Sequence, residues 1–197
     1  MFTDFHPIPT AKLAAATAIH IPQQRLPERV SLNDPAIDVM TDLSRVAAVT
    51  IDALETLEAA GRRMLRRGVR LLLVEDEHGY VNGILTSTDL LGEKPMQFAQ
   101  RSGMTRKDLL VQHIMTPHAD VEMLHLKDVL HAKVGNVVAT LKKTGRRHAL
   151  VVDGAAAEEQ KVRGIFSASQ IGKQLGIEIE TAAYAQTFAE IEAQLAR

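Results

Sequence analysis

Short apolar runs broken by polar turns recur along the chain, with longer stretches of helical spacing between them. VAAVT, residues 46–50, predicts a short strand. Thr50 then precedes IDALETLEAAGRRMLRRG, in which Ile51, Leu54, Leu57, Met64 and Leu65 fall roughly along one helical face. Asp52 and Glu55 near the start, and Arg62, Arg63, Arg66 and Arg67 near the end, complement a helix dipole, and Gly68 fits the stop. LLLV reads as a buried strand, EHGY as a turn, VNGILT as the returning strand, and STDLLG as the start of a second helix. The second half follows the same plan. It has strand material around 121–126, a helix near 134–143 that aligns Val134, Val138 and Leu141, Gly145 as stop, then ALVVD and VRGIF as strands. The predicted order is β-α-β-β-α, twice.

The residues themselves repeat as well as the pattern. Val39-Met40-Thr41-Asp42 matches Ile114-Met115-Thr116-Pro117, GVRLLLVED (68–76) matches GRRHALVVD (145–153), and GILTSTDL (83–90) matches GIFSASQI (164–171). Three blocks in one order make chance a poor explanation. The spacing from Met40 to Gly83 is 43 residues and from Met115 to Gly164 is 49. The extra residues fall before Gly145 and between Asp153 and Gly164.

Composition narrows the function classes. A net charge of -1 gives no reason to expect non-specific nucleic-acid binding, and 4% aromatics without Trp gives no stacking platform for single strands. There is no Cys, hence no thiol or disulfide chemistry. MFTDFHPIPT lacks a signal-peptide pattern, and no apolar run reaches the roughly 18 residues of a membrane span. A cytoplasmic protein without membrane partners is expected. His113 and His118, like His125 and His131, lack metal-site spacing, so no metal site is expected. No nucleophile motif or P-loop stands out, so no enzyme is expected. Residues 1–38 carry five of the seven prolines, which suggests an extended arm in which Ala11 to Ile21 offers one short element. Ala183, Phe188, Ile191 and Leu195 give the tail the spacing of an amphipathic C-terminal helix, set to cover the chain's own surface or a partner subunit.

The hydrophobe-Met-Thr opening, the G-x-x-x-hydrophobe-V-hydrophobe-D block and the G-h-h-T-x-x-D close together resemble a tandem pair of CBS domains, named after cystathionine beta-synthase. The likeness covers about residues 39–176. It implies an α+β fold of two β-α-β-β-α units packed as a pseudo-two-fold module. The divisions are an N-terminal arm (1–38), unit 1 (39–92), a linker (93–113), unit 2 (114–176) and a C-terminal helix (177–197). It also implies a homodimer, for which Leu54, Leu57, Met64 and Leu65 are candidate contacts unless they serve the intramolecular core.

The family commonly holds adenosine-containing ligands in clefts between its units and regulates another protein. Thr86, Thr88 and Asp89 stand where a hydroxyl meets phosphate and a carboxylate accepts from ribose. The same residues also suit a plain cap, with Thr86 closing the helix and Asp89 opposing its dipole. Carried over from the family, this site recruits Thr116, Val121, Arg146, Arg147 and His148. The mirror site would use Thr41, Val46, Val69, Arg70, Ser167 and Gln170. There Gln170 replaces the carboxylate and Leu71 replaces a basic residue, so weaker binding is expected. Asp89 and Gln170 are both expected at exposed helix starts. The implied function is a regulatory module that binds AMP, ADP or ATP and senses energy or nucleotide state, with no required cofactor and an unknown regulated protein. The alternatives are a dimerisation scaffold without ligand and an S-adenosylmethionine binder.

Overall fold

The computed structural model describes residues 6–20, 22–156 and 159–181. Its two sheets have four strands each, ordered β1-β8-β7-β6 and β2-β3-β4-β5. In the first half, β2 (Thr50–Asp52), α1 (Leu57–Arg67), β3 (Leu71–Glu75), β4 (Val81–Thr86) and α2 (Ser87–Leu91) realise the predicted order. In the second half the same order is set by β6 (Met123–His125), α6 (Val134–Thr144), β7 (His148–Asp153), β8 (Lys161–Ser167) and α7 (Ala168–Leu175). Within each unit the first strand pairs parallel to the second, and the second antiparallel to the third.

The opening segments cross over. β1 (Thr41–Asp42) precedes unit 1 but pairs with β8 of unit 2. β5 (Thr116–Pro117) precedes unit 2 but pairs with β4 of unit 1. Glycine permits the second crossing. A Cβ on Gly83 would sit 2.4 Å from the Thr116 carbonyl oxygen, so only hydrogen fits there. At the equivalent Gly164 the obstacle is the buried Met40 side chain, with its sulfur 2.3 Å from the added Cβ.

Three cores follow. Strand β3 is buried on both faces, which explains its unbroken apolar run. Leu72 and Val74 join Leu57, Met64 and Leu85 in unit 1. Leu71 and Leu73 face the other way and meet Ile84 and Leu150 between the units. Unit 2 closes around Val134, Leu141, Val151, Phe166 and Ile171.

The first helix differs from its sequence pattern. Ile51 lies in β2 with Thr50, so the strand falls at 50–52 instead of 46–50. The helix begins at Leu57, where the Thr56 hydroxyl accepts from the Ala59 N–H. A β-branched Thr50-Ile51 pair satisfied by β3 outcompetes early helix growth. Leu54 and Leu65 are therefore exposed, whereas Leu57 and Met64 are buried in unit 1's own core. Gly68 and Gly145 end the two long helices in the left-handed region, as expected.

Residues 93–113 are structured. They contain α3 (Lys94–Ser102), a 3-10 turn (Arg106–Asp108) and α4 (Val111–Ile114), with Leu109 and Val111 fully buried against unit 1. Shorter α5 (Leu126–Val129) follows β6. The N-terminal arm forms no helix or strand over its described residues 6–20, only a turn in which Thr17 bonds Ala14. Further on it packs on unit 2: Val30 donates to the Gln174 carbonyl, and the Gln174 amide donates to the Pro27 carbonyl. Of the C-terminal helix expected over 177–197, residues 177–181 form no helix, and residues 182–197 lie outside the described residues.

Asp42 ties the first crossing down. Its carboxylate accepts from Ser44 N–H and hydroxyl at 2.8 and 2.6 Å and from Arg163 of β8. Burial pushes its pKa up, but the Ser44 bonds and the Arg163 guanidinium outweigh that and hold it below the usual carboxylate value.

Gly83→Ala should cost about 3 kcal/mol or more, because its added methyl meets rigid backbone. Gly164→Ala should cost about 1–2 kcal/mol, because a methionine side chain can turn aside. Urea denaturation of both variants checks this order; equal losses would show that the Thr116 contact does not set the crossing.

Candidate functional site

The strand-to-helix turn at residues 86–89 is the best-formed polar feature of unit 1. Thr86 caps α2, with its hydroxyl accepting from Asp89 N–H at 3.3 Å. The Asp89 carboxylate accepts in return from Thr86 N–H at 2.9 Å and from its hydroxyl at 2.6 Å. Its other oxygen is paired with Lys94. Asp89 is only 8% exposed, which corrects the expectation of an open carboxylate: α3 begins just after α2 and brings Lys94 back over it. Thr88 is half-buried, and its carbonyl accepts from Gly92 N–H.

The matching turn of unit 2 is built differently. Ser167 occupies the cap position of α7 without capping it; its hydroxyl instead lies 3.0 Å from that of Ser169. Gln170 makes no capping box, and all four residues of the turn differ from Thr86-Ser87-Thr88-Asp89. The backbone frame is nevertheless the same. Ser87 N–H donates to the Arg70 carbonyl and Ala168 N–H to the Arg147 carbonyl, both at 2.9 Å.

Crossed strands bring the two units' residues together. Thr116 pairs with Ile84, two residues before Thr86 on the same strand, and Val121 packs in the core between units. Thr41 pairs with Ile165 on the strand that leads to Ser167. Val46 is half-buried, and its N–H donates to the Asp42 carbonyl. Val69 packs on unit 1's own core. Arg146 donates to the Asp120 carbonyl at 2.9 Å and stands 3.9 Å from Glu122.

His148 is where the two units' charges meet. Burial first, then the charges of Arg70 and Arg147, drive its pKa down to about 4, against a smaller opposing pull from Asp89. Arg70 from unit 1, Arg147 and His148 from unit 2, and Asp89 from unit 1 therefore share one neighbourhood. Sequence reasoning placed Arg70 on the mirror side only. Its guanidinium donates to the Ser169 hydroxyl of unit 2, a bond the sequence offered no signal for. Lys94 was also missed; it follows Asp89 by five residues, beyond the helical spacings that mark a local ion pair.

Among the described residues no group of three or more His, Asp or Glu side chains gathers as metal ligands, and no helix is long and apolar enough to cross a membrane.

The folded protein holds His148 neutral down to about pH 4, while an unfolded chain protonates it near 6.5. The unfolded state thus binds more protons in that window, and stability should fall as pH drops from about 6.5 to about 4. His148→Leu, which copies the Leu71 of unit 1, should flatten this slope. Asp42, held below 3.8, loses its contribution only at more acid pH. Urea midpoints across pH 4–7 test this, and an unchanged slope in His148→Leu would refute it.

A CBS-domain family model matches residues 36–95. No curated protein matches the chain. Many solved structures share its fold, three of them as follows. An uncharacterized conserved protein from Pyrococcus horikoshii is 22% identical with a TM-score of 0.52, over 72% of this chain and 92% of its own. A CBS-domain protein from Burkholderia ambifaria is 24% identical with a TM-score of 0.50, over 64% of this chain and 81% of its own. The CBS domain pair of protein MJ0100, in complex with 5'-methylthioadenosine and S-adenosyl-L-methionine, is 20% identical with a TM-score of 0.51, over 74% of this chain and 98% of its own. Residues 36–95 thus match the CBS-domain family, and the chain as a whole shares the fold of a solved CBS domain pair.

Proposed function

We propose that the chain is a regulatory module that binds an adenine nucleotide on the Thr86/Asp89 side of the cleft between its units. The observation that carries this reading is the gathering of Arg70, Arg147 and His148 beside Asp89. Arg70, Arg147 and Asp89 all act on the buried His148, and the Asp89 carboxylate is held by Lys94. Such a neighbourhood favours an anion, and a phosphate answers both guanidinium groups. Ribose hydroxyls would then take the place of Lys94 at Asp89. The two adenosine compounds on the MJ0100 pair support an adenosine-containing ligand here. The two guanidinium groups favour the phosphates of AMP, ADP or ATP over the sulfonium of S-adenosylmethionine. Regulation follows only if the ligand prefers one arrangement of the units, so an unidentified partner would read that preference.

A second reading is a scaffold without ligand. It is favoured by the complete set of internal partners around the Asp89 carboxylate. Calorimetry with AMP, ADP, ATP and S-adenosylmethionine separates the two, and no heat with any of them would leave the scaffold.

Asp89→Ala should weaken nucleotide affinity by about tenfold to a few hundredfold, since a carboxylate bonded to two hydroxyls makes charge-assisted contacts. Gln170→Ala should cost about tenfold or less. Asp89→Ala also removes half of a capping box, so its melt should show a loss of about 1 kcal/mol without unfolding. Titration of both variants beside wild type decides; lost binding in Gln170→Ala with intact binding in Asp89→Ala would move the site to unit 2.

The homodimer that CBS pairs commonly form belongs to the same reading. Light scattering should give twice the 21.6 kDa of one chain, and a concentration-independent monomer would remove the claim.

A further inference from the structure

The Asp89 carboxylate is held from outside its own turn by a residue of the linker. Lys94 opens α3, and only Gly92 and Glu93 separate it from α2. The join is tight. Gly92 N–H donates to the Thr88 carbonyl, and a Cβ on Gly92 would stand 2.8 Å from that oxygen. A cation has the wrong sign for this place, because a helix N-terminus carries partial positive charge. Glu93, at the cap position, supplies no side-chain cap. Among the described residues Asp89 is the one acidic partner of Lys94. The rest of α3 packs toward the crossing segment. Phe98 stacks on His113 of α4 with ring centroids 4.8 Å apart, and Phe98 and Ala99 lie against the core that holds Val111 and Ile114. From α4 the chain passes through Met115 into β5, which pairs Thr116 with the strand that ends at Thr86. Unit 2 has no counterpart: its α7 continues to Leu175, which stands where Lys94 stands in unit 1.

We infer that Lys94 is a built-in competitor for the nucleotide site, and that its displacement is the signal the module sends. Ribose hydroxyls that take the Asp89 oxygen release Lys94, and the start of α3 loosens. The inference rests on the nucleotide reading and adds to it the element that responds. Two physical points carry it. The carboxylate oxygen that Lys94 occupies is the one left over by Thr86, whose N–H and hydroxyl both bond the other oxygen. A ligand diol therefore meets Lys94 before anything else at Asp89. The pair is also weak enough to yield, since the lysine side chain is half-exposed. Once released, the ammonium group faces the helix dipole without a counter-charge, so the first turn of α3 loses what held it. A ligand that favours the released linker over the tied one then has the differential affinity that regulation needs.

The sign of a substitution tests the first half. Lys94→Met should bind AMP about two- to fivefold more tightly than the wild-type chain, because no competitor has to leave. Lys94→Arg, which keeps the ion pair, should return the affinity to the wild-type value. Lys94 is half-exposed, so neither change disturbs a packed core. Unchanged or weaker binding by Lys94→Met overturns the inference, and weaker binding would make Lys94 a ligand contact. Amide hydrogen exchange tests the second half. In the wild-type chain AMP should speed exchange over residues 97–102 about threefold. Lys94→Met should show the faster rate without AMP and no further rise with it. Exchange in α3 that AMP leaves unchanged or slows overturns the switch while the nucleotide site stands. If the wild-type chain binds no AMP, ADP or ATP, the nucleotide reading falls and the inference falls with it.

Discussion

The exchange of opening strands governs the rest of this structure. Each unit completes its sheet with a two-residue strand from the segment that precedes the other unit. The exchange is local and short, yet it fixes which residues meet across the molecule. It carries Thr116 to the strand that ends at Thr86, and Thr41 to the strand that ends at Ser167. It needs a residue without a side chain where backbone meets backbone, which Gly83 supplies. It also needs an anchor, and Asp42 with Arg163 supplies one on the unit 2 side. With both crossings made, Leu71, Leu73, Ile84 and Leu150 close a core that belongs to neither unit alone.

On this shared frame the two halves have diverged in charge more than in backbone. Both keep an arginine two residues after the helix-ending glycine, and both bond its carbonyl to the start of the second helix. At the next position one half has Leu71 and the other His148. At the acidic position of the turn one half has Asp89 and the other Gln170. With Ser167 and Ser169 in place of Thr86 and Thr88, these differences make equivalent places unequal. One turn is a capping box tied to Lys94, and the other is a pair of serines reached by Arg70.

The peripheral segments obey the same crossed logic. Pro35, ahead of unit 1, bridges to Lys133 at the start of unit 2's long helix. Leu110, ahead of unit 2, bridges to Thr56 at the start of unit 1's long helix. Arm and linker thus play equivalent parts, although one is extended and proline-rich and the other largely helical.

Repeats, periodicity and punctuation were enough to read the β-α-β-β-α order, because each depends on contacts within about twenty residues. Gly68 and Gly145 marked their helix ends, and Val134, Val138 and Leu141 marked a buried face, for that reason. The first helix was misread where local pattern and pairing disagreed: Ile51 has helical spacing, but a neighbouring strand claims it. The candidate site was legible as residue types and as a resemblance. Its wiring was not. Lys94 covers Asp89, Arg70 reaches Ser169, and burial together with two arginines holds His148 neutral, all through contacts that the chain makes only when folded. The sequence by itself determined the two units and the residues each one offers, because those follow from short-range steric and hydrophobic preference. Only the tertiary structure decided which offers meet, because strand exchange and burial join residues far apart in the chain.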